Sequence, residues 1–345
     1  WKICYSKMIR EIKTYYIILC LCSLSFSQDN VDVVTKVATS AANWLKLETG
    51  TRAIGMGGAY TAAGDGVSGI PYNPASVSFV KGQEGFLSTT QYIAGISYNV
   101  LGYATNMSGV DYAGVHLFFL DSGSMDVTNE FYPDGTGETF SMTGLCVRGT
   151  YGRRVTNRLR IGFTGKYIRE QIYTTHMQSF AFDIGSHFNT GLYGFVLGMS
   201  ISNLGPEVKY EGDGLEIECE ESPTGYCQQI AEPFSLPMTF RIGFANNIVG
   251  PESEFIKSKN HKFLISMDAI NPIDFTLYGA MGMEYGFADM FFLRAGTHFG
   301  HDTADMSLGA GLQINSDEFS MALDYAYVNY GILDYTHQFG LNFKF

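Results

Sequence analysis

The sequence predicts an all-β fold: a transmembrane antiparallel β-barrel of about 14 strands with a partly helical N-terminal hatch. Three observations carry that prediction. The 345 residues include 40 Gly, 26 Phe and 22 Tyr, yet only 16% are charged, against about 25% in an average soluble domain. Period-two alternation fills most of the chain after residue 84, and beyond the N-terminus no apolar run approaches the ~18 residues of a spanning helix. Lipid can then be crossed only by a closed barrel, because every backbone polar group needs a partner. The last residues alternate too: Phe339, Leu341, Phe343 and Phe345 fall on one face, Gly340, Asn342 and Lys344 on the other. An alternating strand ending in Phe is similar to the terminal signal of bacterial outer-membrane barrels, so Phe343 and Phe345 are the candidate barrel-assembly signal.

The N-terminus reads as an export signal. Residues 1–7 precede Met8 and read as translated upstream sequence. From Met8, Arg10 and Lys13 form a basic end, Tyr15 to Leu24 a short apolar core, and Ser25-Phe26-Ser27 a cleavage site before Gln28, so 8–27 is the expected signal peptide. Cys20 and Cys22 follow leucines where a lipoprotein site needs a small residue, so no lipid anchor is expected. The chain carries a net charge of −12, and signal removal makes it more acidic. That argues against a nucleic-acid partner, whose affinity rests on basic contacts.

Residues 28–82 are expected to form a helix and hatch. Val33, Val37, Trp44 and Leu45 have roughly helical spacing, a weak signal for an amphipathic helix. The run Thr49 to Ala63 is too small and glycine-rich for a lipid-facing strand. Its natural place is inside a barrel, where glycine permits close backbone approach. Pro71-Tyr72-Asn73-Pro74-Ala75-Ser76 follows as a turn block with two fixed dihedrals. The hatch residues singled out are Gly55, Met56, Gly57, Gly58, Tyr60, Tyr72, Asn73, Pro74 and Ala75.

Residues 83–345 supply the barrel. Leu159, Ile161, Phe163 and Tyr167 alternate with Arg158, Arg160, Thr164 and Lys166. Phe180, Phe182, Ile184 and Phe188 alternate with Ala181, Asp183, Gly185 and His187. Phe319, Met321, Leu323, Tyr325 and Tyr327 alternate with Ser320, Ala322, Asp324 and Ala326. Charges on the second face suit a wet or hydrogen-bonded lumen rather than a sandwich core.

Loop lengths set the expected orientation. Connections at 106–109, 156–157, 189–191, 286–289 and 315–318 are short and belong to the end that carries both termini, expected to be periplasmic. The long ones, near 121–138 and 204–236, fall in the opposite set and are expected outside the cell. Segment 249–260 breaks the rule, being long where a short turn is expected.

Cys146, Cys219 and Cys227 remain after signal removal. Export implies an oxidising compartment. Cys219 and Cys227 share one polar segment and form the candidate disulfide; Cys146 is expected to pack as a small apolar residue. The connection from Pro206 to Leu236 is strongly acidic. Its Glu211, Asp213, Glu216, Glu218, Glu220 and Glu221 are read either as a solvated loop, binding divalent cations among lipopolysaccharide, or as a docking surface for a basic protein, which such a field would steer.

The run Gly50 to Ala59 with Asn73-Pro74-Ala75 resembles the N-terminal segment of the PorV/PorQ family of outer-membrane proteins. Asn203 to Tyr210, Leu236 to Gly243, Leu323 to Val328 and Thr336 to Phe339 are similar to later motifs of that family, in order, over nearly the whole mature chain. The resemblance implies a barrel like that of the FadL fatty-acid transporters, with an N-terminal hatch and an Asn-Pro-Ala turn. It also implies a non-catalytic role in type IX secretion, shuttling or attaching exported proteins. The implied partners are the translocon, a sortase and cargo C-terminal domains, beside outer-membrane lipid, lipopolysaccharide and the barrel-assembly machinery. The acidic segment 206–236 departs from the family pattern.

No chemistry stands out in the sequence. Gly55-Met56-Gly57-Gly58 lacks a P-loop lysine. His298 and His301, near Asp302 and Asp305, lack the spacing of a recognised metal site and read as a polar loop. No nucleophile elbow is present. Catalytic residues, cofactors and metals are therefore expected to be none. The alternative to the secretion role is a FadL-like transporter or channel for hydrophobic small molecules, with Met56, Tyr60 and Tyr72 lining the path.

Overall fold

The computed structural model describes residues 37, 39–218, 226–301 and 306–345. The upstream residues, the signal peptide, Val33, Cys219, Glu220, Glu221, Asp302 and Asp305 lie outside the described residues.

Fourteen antiparallel strands close into a barrel. They are β1 Gln83–Gln91, β2 Ser97–Asn106, β3 Asp111–Asp121, β4 Met142–Arg154, β5 Leu159–Ile172, β6 Thr175–Asn189 and β7 Val196–Leu204. The second half is β8 Thr239–Gly250, β9 His261–Pro272, β10 Tyr278–Phe287, β11 Phe291–Phe299, β12 Met306–Asn315, β13 Ser320–Asn329 and β14 Tyr335–Lys344. Each pairs with its neighbour in sequence, and β1 pairs with β14 from Glu84↔Lys344 to Gln91↔His337. That last ladder removes the free edges. Strands of 9 to 15 residues have the reach to cross a hydrocarbon core, which needs about 9–11.

The alternation sorts side chains as the sequence predicts. Leu101, Phe163, Phe182, Leu323 and Phe339 are exposed on the outer face, while Tyr98, Thr164, Asp183 and Asp324 are buried inside. Outer aromatics meet across strands, as in the Phe163–Phe182 stack at 5.5 Å. The apolar outer face and polar inner face are the reverse of a water-soluble barrel.

The connections divide into two sets. At the end carrying the start of β1 and the finish of β14, here the terminus end, the turns are short except for 251–260. That loop is built rather than loose: Ile256-Lys257 lies parallel to Val249-Gly250, extending the sheet past β7. The opposite end carries the long connections 122–141 and 205–238.

The strand β7 contains a bulge. Ile184 pairs with Ile201, but Phe182 pairs with Leu204. Asn203 takes a left-handed backbone, φ 61°, a conformation asparagine tolerates better than most residues. Its amide donates to Asp183 Oδ1 (2.8 Å) and its side chain to the Pro237 carbonyl (3.0 Å). Beyond the bulge β7 ends, and the free flank of β6 is bordered instead by Glu211-Gly212.

Inside the barrel, residues 39–82 form the hatch: a 3-10 turn Asn43–Lys46, a short helix α1 Thr51–Gly55, and 3-10 turns Val67–Gly69 and Pro74–Phe79. The amphipathic helix expected around Val37 to Leu45 is reduced, in its described part, to that first turn, with Val37 exposed. Tertiary contacts override the weak helical signal. Trp44 stacks on Phe118 at 5.4 Å and its indole Nε1 donates to Glu170 Oε2 at 2.6 Å.

Candidate functional site

The site is the seam between hatch and barrel, with the mouths above and below it. All nine hatch residues singled out in the sequence lie in the lumen and are buried. The helix α1 ends because Gly57 and Gly58 take positive φ, 62° and 70°, which a residue with a Cβ adopts at a cost. Pro74 opens its turn at the first position, where its missing N–H is no loss. Asn73 caps the turn through Oδ1 to Ala75 N (3.1 Å), while its Nδ2 donates to Thr61 O and Ser186 O, both 2.9 Å. One asparagine thus ties the hatch to itself and to the wall.

Inward glycines of the wall make room for this plug. A Cβ on Gly282 would collide with Met56, one on Gly162 with Pro74 and Ala75, and one on Gly185 with Asn73. Much of the glycine content is explained by this close backbone approach.

The plug is held by polar contacts that the sequence does not pair. Arg52 reaches Glu284 on β10 through Nε to Oε2 (2.7 Å) and Nη2 to Oε1 (2.8 Å), and Asp65 through Nη1 (2.7 Å). Glu284 also accepts from Arg294 Nε (2.6 Å), whose Nη1 donates to Asp324 (2.6 Å). Burial alone would depress the Arg52 guanidinium, but Glu284 and Asp65 overcome it and hold its pKa above the ordinary value. Burial would likewise raise Asp65, yet Arg52 outweighs it and keeps that carboxyl below its usual range. Asp268 on β9 accepts the amides of Tyr60 (3.0 Å) and Thr61 (2.9 Å). Such buried charges persist only when paired and hydrogen-bonded.

The two mouths differ in chemistry. Toward the terminus end lies a vestibule of about 720 Å³, lined by Arg52, Asp65, Glu84, Arg160, Glu284 and Lys344 among others. Toward the opposite end the space is filled by apolar and aromatic side chains. Trp44, Tyr98, Phe118, Leu120, Met177 and Ile168 form one buried cluster. Two parts of connection 205–238 close over it: Val208 and Leu236 join the cluster, and Tyr210 and Phe234 pack against it. Ala41 N donates to Ser235 O (3.0 Å), so this connection pairs directly with the hatch.

The acidic connection is therefore partly a lid. Of its six candidate partner-binding residues, Glu211, Asp213 and Glu216 are exposed. Glu218 ends a short strand, Glu216–Glu218, that pairs with Tyr226–Gln228; Glu220 and Glu221 lie outside the described residues. Cys227 is disulfide-bonded, while Cys219 lies outside the described residues; Cys146 is a free, buried thiol. Phe343 pairs with Gly85 and Met321, and the Phe345 backbone exchanges hydrogen bonds with Gln83 at 2.9 and 3.1 Å. His298 Nε2 lies 3.8 Å from Glu48 and its ring 5.4 Å from that of His301. Among the described residues no group of three metal-ligating side chains comes together.

On the outer wall a further feature was not legible in the sequence. Tyr151, Ile161, Phe163, Ile184, Met199 and Phe240 line an apolar groove of about 470 Å³. Its floor includes Gly162 and Gly185, the residues against which Asn73-Pro74-Ala75 rests from inside. Only one layer of backbone separates the lipid side from the hatch there.

Comparison of the sequence with known protein families and with curated proteins finds no match. Solved structures do match. The toluene transporter TodX of Pseudomonas putida is 12% identical, with 86% of this chain and 97% of that one covered at a TM-score of 0.56. The toluene transporter TbuX of Ralstonia pickettii is 11% identical, covering 86% and 98% at 0.54. A FadL homologue of Pseudomonas aeruginosa is 12% identical, covering 86% and 98% at 0.52. What the chain shares with these proteins, at such identities, is the fold of the barrel.

Proposed function

We propose that this chain is a non-enzymatic barrel of a Gram-negative outer membrane that passes hydrophobic small molecules, with the hatch as its gate. The termini then lie in the periplasm and the long connections outside. The observation that carries this reading is the apolar outer groove backed, through Gly162 and Gly185, by the Asn73-Pro74-Ala75 turn of the hatch. An apolar molecule dissolved in the membrane reaches the groove without crossing water, and the hatch stands directly behind it. The likeness to toluene transporters supports the same class of cargo. The hatch residues singled out in the sequence are buried within the barrel, and in this reading passage needs their displacement.

The test is growth. A Gram-negative strain lacking its own channel for monoaromatic hydrocarbons or long-chain fatty acids should regain growth on one of them when this chain is expressed. Failure on both classes, with the barrel correctly inserted, rejects the reading.

A second reading, the type IX shuttle or attachment protein, is favoured by one observation at the opposite end. Phe131 is 84% exposed and Tyr132 61%, on the same end of the barrel as the exposed Glu211, Asp213 and Glu216. An apolar tip and an acidic connection on one end of the barrel suit capture of a folded exported protein. Mild cross-linking in the native membrane, followed by affinity capture, separates the two. Recovery of a translocon, a sortase or proteins sharing one C-terminal domain supports secretion; recovery of a hydrocarbon or fatty acid supports transport.

A further inference from the structure

The terminus end carries an exposed apolar shelf that the hatch and its gate do not use. It is formed by the β6–β7 turn and the long β8–β9 loop. Leu192 is 67% exposed, Tyr193 70%, Phe255 51% and Ile256 56%. Large apolar side chains so exposed and so close together mark a contact surface rather than a loop tip. The Tyr193 and Phe255 rings stack at 6.1 Å with an interplanar angle of 27°.

The shelf is held in place from within. Asn246 Nδ2 donates to the Tyr193 carbonyl (2.8 Å), fixing a residue whose φ is 50°. Ser253 is buried; its hydroxyl donates to Ile248 O (2.8 Å) and accepts the amides of Phe255 (3.1 Å) and Ile256 (3.2 Å). Ser258 N donates to Gly250 O at 3.1 Å. The loop is therefore a pre-shaped platform, and ordering it on contact costs little entropy.

Charge on the loop is segregated. Glu252 and Glu254, both exposed, border the vestibule, whereas Lys257 and Lys259 do not. Both lysines are exposed and neither forms an ion pair among the described residues. Lys262, by contrast, is satisfied by Asp289 at 2.5 Å. Next to the shelf, Phe195 and Phe244 belong to the exposed apolar outer wall. The shelf thus adjoins the exposed apolar wall at its terminus end, with Lys257 and Lys259 following it in sequence.

We propose that Leu192, Tyr193, Phe255 and Ile256, with Lys257 and Lys259, form an interfacial binding site for an anionic phospholipid of the terminus-side leaflet. The rings and Ile256 lie along the first acyl carbons, and the two ammonium groups meet the headgroup phosphate. Aromatic rings with lysines suit that boundary, where one end of the side chain is apolar and the other wet. The unusual length of the 251–260 loop, on an end otherwise made of short turns, has this task. The inference rests on the membrane placement of the barrel and not on what the barrel transports.

The experiment uses full-length protein with Phe255→Trp, and separately Tyr193→Trp, in phosphatidylcholine bilayers containing increasing brominated phosphatidylglycerol. Heat-modifiable mobility verifies insertion first, so a failed barrel is told apart from a failed site. Tryptophan emission added by either substitution should be quenched by the bromolipid beyond its mole fraction in the bilayer. Lys257→Gln and Lys259→Gln should each reduce that enrichment by about fivefold, the factor for about 1 kcal/mol per lysine at an anionic surface. Quenching that merely follows mole fraction, or is unchanged by the lysine substitutions, overturns the headgroup site. Quenching by aqueous iodide with none by bromolipid overturns contact with lipid and leaves the shelf to a soluble partner.

Discussion

Arg52 of the hatch and Glu284 of the wall meet in a two-point contact, both hydrogen bonds under 3 Å, across 232 positions of sequence. Paired contacts of this fork geometry are the strong ones among charged hydrogen bonds. Because Glu284 also holds Arg294, and Arg294 holds Asp324, the hatch is fastened to three strands through one carboxylate. Were the hatch to move as proposed, each end of this fastening could be hydrated as it opens.

Arg52→Ala should therefore loosen the hatch while leaving the barrel inserted. Breaking one partner of a buried pair costs about 3 kcal/mol or more, moderated here because Arg294 remains on Glu284. Single-channel recordings in planar bilayers should find openings for small ions that the parent protein lacks. A variant as tight as the parent would place the fastening elsewhere.

Acid should act on the second contact of the same arginine, with Asp65. Arg52 holds the Asp65 carboxyl below its usual range, so the folded pKa is depressed. The contribution to hatch docking is present above the ordinary value of about 3.9 and is lost as pH falls through the lower, docked-state pKa. The Asp65 component of any rise in conductance should appear on strongly acid titration, and Asp65→Asn should remove that component.

A steric test needs no charge. Gly282→Val places a branched side chain where Met56 stands. Overpacking of this kind costs about 1–3 kcal/mol, and Met56 backbone cannot move aside without displacing α1. The barrel should still assemble, since the substitution is β-favouring, but limited proteolysis from the terminus side should cleave residues 49–63 faster than in the parent.

The lid makes its own prediction. Glu170 accepts from Trp44 of the hatch and from the Tyr210 hydroxyl of connection 205–238. Glu170→Ala leaves the Trp44 Nε1 buried without an acceptor, at about 1–3 kcal/mol. Proteolysis of 205–238 from the opposite side should accelerate, and hatch and lid should loosen together rather than separately.

The strands were legible because a wall with lipid on one side and a polar lumen on the other imposes alternation on every residue. Phe163 and Thr164, or Leu323 and Asp324, declare their faces by chemistry alone. The hatch was legible for the complementary reason: Gly55 to Gly58 and Asn73-Pro74-Ala75 suit neither lipid nor an open strand. What binds the two was not. Arg52 carries no sign that its partner is Glu284 rather than any other carboxylate, and Asp268 shows nothing of the two amides it accepts. The helical spacing around Trp44 misled because a local period is a weak signal beside one stacked, hydrogen-bonded indole. The β7 bulge at Asn203 was hidden as well, since one extra residue in a ladder appears only when the partner strand is known. The length of 251–260 was visible; its pairing with Val249-Gly250 was not.

On the proposed function, an apolar molecule passes this barrel when the hatch gives way. The most direct measurement is flux of a radiolabelled monoaromatic hydrocarbon and of a sugar of similar size into vesicles containing the purified, heat-modifiable protein. The parent should admit the hydrocarbon and exclude the sugar, while Arg52→Ala combined with Gly282→Val should admit both. Hydrocarbon flux no faster than in protein-free vesicles, for the parent and the loosened variant alike, would contradict it.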